Sequence, residues 1–189
     1  KGDVVMLSQV MGTAPTLALL PLLKADNIVA APASQDALWV REQNLFPIIE
    51  PYQIDAINAM DYMMKEGGAQ GKNICAVLQN DVYGEAGLEG LQFAGTKLGF
   101  QLKASPRYKL GDQDFTAQVN ELKNAKCDVV FAVSLPIEFG KILGTAAGLG
   151  FARGAVDGGL EDRTADLVVA QCEHRTIRLV VAKALVVPR

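Results

Sequence analysis

Apolar and polar positions along this chain switch between two periods. Residues 4–7 (Val-Val-Met-Leu) form a short β-type run. Residues 13–25 then carry Leu19, Leu22 and Leu23 at helical spacing, with Pro15 tolerated in the first turn. Residues 28–31 predict a second strand ended by Pro32, and residues 36–43 a short helix. Residues 45–49 read as an extended connection flanked by Pro47 and Pro51. Beyond Pro51 the pattern restarts. Ile54, Ile57, Met60 and Met64 share one predicted helical face, which Gly67-Gly68 ends. A strand over 74–78 precedes a helix over 84–98 whose predicted buried stripe is Leu88, Leu91, Gly95 and Leu98. Residues 100–104 alternate like a half-buried strand. Phe115, Val119 and Leu122 predict another amphipathic helix. Residues 128–133 are an apolar strand after one acid, and Phe139, Leu143, Ala146 and Leu149 mark the helix behind it.

Short strands alternating with longer helices mean βαβ units and a parallel sheet, so the expected class is α/β. The crossing at 47–51 divides the chain into a partial first lobe over 1–50 and a second lobe over 51–150. The first has too few strands to stand alone. Residues 151–189 break the pattern: they hold most of the arginines, the only His, and Val-rich runs without helical spacing. Within them, 167–170 and 177–182 read as strands, but the helix expected between such units is missing. The tail is therefore expected not to be the natural continuation of the chain.

Composition narrows the class further. Half of the 189 residues are hydrophobic and 21% are charged, which fits a globular protein with a sizeable core. A net charge of −3 argues against nucleic acid as the main partner, since phosphate binding needs clustered Lys and Arg. The longest apolar run, residues 17–23, is interrupted by Pro21 and falls well short of the roughly 18 residues of a transmembrane segment. Cys75, Cys127 and Cys172 lack metal-ligand spacing, and no metal or cofactor is expected. Cys75 and Cys127 sit in predicted buried strands, where a free thiol behaves as a small hydrophobe; that reading is favoured over a disulfide. The chain begins at Lys1 without a signal-like segment, so it reads as a processed or cut piece.

Catalytic constellations are sparse. His174 lies in the tail without a nucleophile context such as G-x-S-x-G. Asp112 and Asp114 are better read as caps for the helix whose apolar face begins at Phe115 than as an acid–base pair. Gly148 to Gly154 fails the dinucleotide-loop context because it follows a helix, and Gly68 to Lys72 precedes its strand instead of following it. Gly84, Gly87 and Gly90 suit close helix packing, with an anion at that helix start as a second possibility. The protein is expected not to be an enzyme.

The chemistry that remains lies at strand ends. In open α/β sheets ligands bind outside the carboxyl ends of strands. Tyr83 follows such an end beside Asn80 and Asp81 and reads as an exposed ligand contact. Thr13 opens the helix after the first strand, where free N–H groups attract a carboxylate, although it also suits a cap. Ala33 and Ser34 close the second strand with small residues that leave space.

These segments, in order, are Gly12-Thr13-Ala14, Ala31-Pro32-Ala33-Ser34, Asn80-Asp81-Val82-Tyr83-Gly84, Asp112-Gln113-Asp114-Phe115-Thr116 and Lys126-Cys127-Asp128-Val129-Val130-Phe131. The ordered set resembles the extracytoplasmic solute-binding proteins of the leucine/isoleucine/valine type, with the two-lobed type I periplasmic binding fold, over roughly residues 3–151. The resemblance implies that Thr13, Ala33 and Ser34 hold a ligand's polar end in lobe one while Tyr83 reaches across from lobe two. Ser134 falls at a strand end where further polar contacts belong. Amino-acid binders often place an aromatic residue there, and this chain offers Ser134, Leu135 and Pro136, which opens the site to other small carboxylates, amides or aromatic acids. By the same resemblance, the protein traps a small solute by hinge closure and delivers it to the membrane permease of an ABC transporter. It would lie outside the cytoplasm, secreted or lipid-anchored after removal of a signal peptide. The rival classes are a ligand-sensing domain of a receptor or regulator with the same fold, and a flavodoxin-like or Rossmann enzyme.

Overall fold

The computed structural model describes residues 3–151 together with the backbone of 166–169 and 180–181. Two sheets organise them. In the first, strand β1 (Met6–Val10) pairs in parallel with β2 (Val29–Pro32), and helix α1 (Thr13–Ala25) connects the two. Register runs Met6↔Val29 to Ser8↔Ala31 and then shifts before Val10↔Pro32, where Gln9 takes a left-handed φ of 57°. Such a bulge re-aims the strand end. The predicted helix at 36–43 is a short 3₁₀ turn, Ala37–Arg41, capped by the Asp36 carboxylate on the Leu38 N–H. Leu20, Leu23, Ala30, Trp39 and Leu45 form the apolar cluster of this layer.

The second sheet has the order β4-β3-β5-β6-β7. Its centre is β3 (Ile74–Gln79) beside β5 (Val129–Val133), parallel in register from Ile74↔Val129 to Leu78↔Val133. Both are continuous apolar runs because both faces are covered. Ile74, Ala76, Leu78, Val129, Phe131 and Val133 point toward α2 (Tyr52–Lys65) and α3 (Val82–Leu98). Cys75, Val77, Val130 and Ala132 point toward α4 (Thr116–Asn124) and α5 (Pro136–Gly148). Strand β6 (Asp166–Val169) runs parallel to β5, and β7 (Val180–Val181) antiparallel to β6. The other expectations for the tail, His174 and Cys172 among them, lie outside the described residues.

Further expectations change; on α1 the buried face is Thr13, Thr16, Leu20 and Leu23, and Leu22 is exposed. Cys75 and Cys127 are joined in a disulfide, Cα to Cα 5.8 Å, instead of standing as free hydrophobes. The pairing of β3 with β5 brings the two together across 52 residues, a proximity no spacing rule encodes. The buried face of α2 is Tyr52, Gln53, Ala56, Ala59, Met60 and Met63, while Ile54 is exposed. Close approach selects that face: a Cβ built at Gly90 of α3 would stand 2.9 Å from the Ala56 Cβ. The strand expected at 100–104 is instead β4 (Arg107–Tyr108). Residues 103–106 still run along β3, since Lys103 donates to Ile74 O, and Ala104 O and Pro106 O accept from Ala76 and Leu78. Pro106 lacks an N–H, so the regular ladder starts after it. Finally, Tyr83 is buried in the α2–α3 core instead of exposed.

Candidate ligand-binding site

The first group of site residues gathers where β1 and β2 end. Gly12, at φ 89°, turns the chain from β1 into α1 in a conformation an L side chain resists. Thr13, the first residue of α1, is 2% exposed, and its Oγ1 has no hydrogen-bond partner. It caps nothing, because the cap position is Gly12 and no side chain bonds there. One turn on, the Thr16 hydroxyl donates to Gly12 O at 2.7 Å and lies 3.3 Å from Ser34 Oγ. Ser34 is held in turn by its carbonyl, which accepts from Trp39 Nε1 at 2.9 Å. The Ala33 N–H donates to Val10 O at 2.9 Å and fixes the second strand end against the first. Three hydroxyls, those of Thr13, Thr16 and Ser34, therefore collect beside the N-terminus of a 13-residue helix, a setting that favours an anion. Thr16 was missed by the sequence reading; its signal is the i+3 spacing from Thr13.

The second group gathers at the ends of β3, β4 and β5. Asp81 caps α3, its Oδ1 accepting from Tyr83 and Gly84 N–H and its Oδ2 from Gln79 Nε2. The Tyr83 hydroxyl lies 3.5 Å from Ser134 O, so the structure brings these two predicted residues together. Next to them, the Tyr108 hydroxyl sits 3.3 Å from both Gln79 Oε1 and Val133 O. Burial, reinforced by the nearby Glu138 carboxylate, pushes the Tyr108 phenol above its ordinary range, so it stays a neutral donor. Sequence reading missed Tyr108 and Gln79, which its strand boundaries left outside.

The two groups meet through Tyr52. Its N–H donates to Gln35 O at 2.6 Å, next to Ser34, and its ring meets the Tyr83 ring edge-on with centroids 4.9 Å apart. Helix α1 also touches α3 directly. Thr13, Ala33, Ser34, Tyr83 and Ser134 are all 7% exposed or less. An open depression of about 860 Å³ lies elsewhere, between the second half of α3 and residues 99–105, and none of these candidate residues lines it. Among the described residues no group of three His, Cys, Asp or Glu side chains is placed to hold a metal, and no helix is long and apolar enough to cross a membrane. The expected caps change: the cap position of α4 is Phe115, Asp114 accepts from the Thr116 N–H from one residue before it, and Asp112 binds the Lys109 N–H and closes a turn instead.

Residues 1–170 match the sequence model of the periplasmic binding protein family. The chain belongs to that family. Solved members of the fold include a type 1 periplasmic binding protein from Bordetella pertussis Tohama I, at 24% identity and TM-score 0.70, aligned over 78% of this chain and 41% of that one. Another is a branched-chain amino acid ABC transporter structure from Thermus thermophilus with bound valine, at 23% identity, TM-score 0.65 and coverage of 74% and 37%. A third is an ABC-transporter solute-binding protein from R. palustris in complex with 4-hydroxybenzoate, at 12% identity, TM-score 0.67 and coverage of 78% and 40%. At these identities the likeness establishes the fold, the type I periplasmic-binding α/β architecture with parallel sheets between helices. The chain spans about 41% of the length of the first of these structures, so it carries part of that architecture. No curated protein matches the sequence.

Proposed function

We propose that this chain is part of a solute-binding protein of the branched-chain amino acid transporter type, carrying a partial first lobe over 1–50 and a second over 51–150. Thr13, Ala33 and Ser34, joined by Thr16, hold the carboxylate of a small solute. Tyr83 and Ser134 close on it from the second lobe, and hinge closure presents the loaded protein to the membrane permease of an ABC transporter. The observation that carries this reading is the Thr13 hydroxyl: buried, unpartnered and set at a helix N-terminus. A buried polar atom without a partner costs about 1–3 kcal/mol, which a bound oxygen ligand would recover. Valine and 4-hydroxybenzoate, the ligands of two neighbours of this fold, are both carboxylates on an apolar body. The disulfide supports an extracytoplasmic location, because such bonds persist in oxidising compartments. No bond-breaking step is assigned to this arrangement.

The test is thermal melting of the full-length protein with L-valine, L-leucine, 4-hydroxybenzoate and their amides. A ligand at about 100 times its Kd adds about 2.7 kcal/mol of stability. A carboxylate is expected to raise Tm, and Thr13→Val to abolish that rise. A solute that stabilises wild type and Thr13→Val equally would remove Thr13 from the site, and no response to any small carboxylate would sink the reading.

A further inference from the structure

The two sheets are joined by chemistry unlike that inside either one. The apolar cluster of the first layer and that of the α2–α3 face share no residue. Besides the contact of α1 with α3, the junction where the chain passes from the first layer into α2 is built from polar groups. Its centre is Gln53, buried in the first turn of α2. Its Oε1 accepts from the Ala37 N–H at 3.2 Å, and its Nε2 donates to Glu89 Oε2 at 3.1 Å. One amide thus grips a peptide group of the first layer with its acceptor and a side chain of α3 with its donor, using both ends of the carboxamide. The packing around it is tight: a Cβ at Gly90 would stand 2.5 Å from Gln53 O. The adjacent Tyr52 N–H to Gln35 O bond, 2.6 Å, runs across the same junction.

We propose that Gln53 is a clasp between the layers, a positioning residue that fixes the first sheet against α3 and so sets the angle between the two halves of the molecule. Glu89 is its second anchor. The clasp is a property of this chain without any solute, so its test is independent of the binding reading above.

The experiment is native-state hydrogen exchange on the full-length protein without solute. Ala30, Ala33 and Phe46 N–H bond to Asn44, Val10 and Ala30 carbonyls and report on the first layer. Ala76, Leu78 and Asn80 N–H bond to Ala104, Pro106 and Tyr108 carbonyls and report on the second. Gln53→Ala is expected to speed exchange in the first group about tenfold or more while leaving the second unchanged, as loss of a charge-assisted bond opens one sub-global unit. Equal acceleration of both groups would show a general loss of stability, and no change would show no clasp; either overturns the proposal. Should Gln53→Ala fail to fold, the exposed Glu89 supplies the second arm. Glu89→Gln keeps an acceptor for Gln53 Nε2 and should exchange like wild type, whereas Glu89→Ala should speed the first group selectively. Identical behaviour of the two Glu89 variants overturns the proposal as well.

Discussion

Thr13 carries a buried hydroxyl without a hydrogen-bond partner in the protein, and this predicts a trade between stability and binding. Thr13→Val keeps the shape and removes the orphan oxygen, so the ligand-free protein should gain about 1 kcal/mol or more in chemical denaturation. The same change should weaken carboxylate binding by the full-length protein at least tenfold in calorimetry. Tyr83 behaves oppositely because it belongs to the core as well as to the candidate site. Tyr83→Ala should cost about 3–5 kcal/mol of stability by analogy with other buried aromatics, and Tyr83→Phe under 1.5 kcal/mol. Asp36 gives a pH signature. Burial, and secondarily repulsion from Glu89, raises its pKa above the ordinary 3.8 despite hydrogen bonds from Leu38 and Gln53. The folded state then holds that proton more tightly than the unfolded chain. Asp36 should therefore lower stability progressively as pH rises from near 4 through the raised value, and acid should relieve the loss. Asp36→Asn, which still caps the 3₁₀ turn, should flatten that part of the pH–stability curve.

At the scale of elements, α3 packs through its glycines. A Cβ at Gly84 would collide with the Gln79 carbonyl, and one at Gly87 with the Val133 side chain. Gly87→Ala should cost about 1–3 kcal/mol by overpacking and shift β5 against β3, visible as altered methyl shifts for Val133. Most elements were legible in the sequence because period 2 and period 3.6 are local properties: α1, β3 and β5 were predicted within two residues of their observed bounds. Two features were not. The buried face of α2 depends on how near α3 comes, so the small Ala56 outweighs the larger Ile54. The edge strand depends on where Pro106 falls against β3, a matter of register.

At the scale of the molecule, the disulfide links Cys75 in β3 to Cys127, just before β5, across 52 residues and restrains the unfolded chain. By the chain-entropy relation it should contribute about 4 kcal/mol, so reduction, or Cys75→Ser with Cys127→Ser, should lower the denaturation midpoint accordingly. What the sequence determined alone was the alternation of strands and helices and the α/β class. Those follow from neighbours along the chain, where burial preference and turn residues act locally. Only the tertiary structure decided that two distant cysteines meet, that Tyr83 turns inward against Tyr52 and Ser134, and that Gln53 bridges two layers. Each of these is set by residues far apart in sequence, whose distance is fixed by how sheets and helices pack.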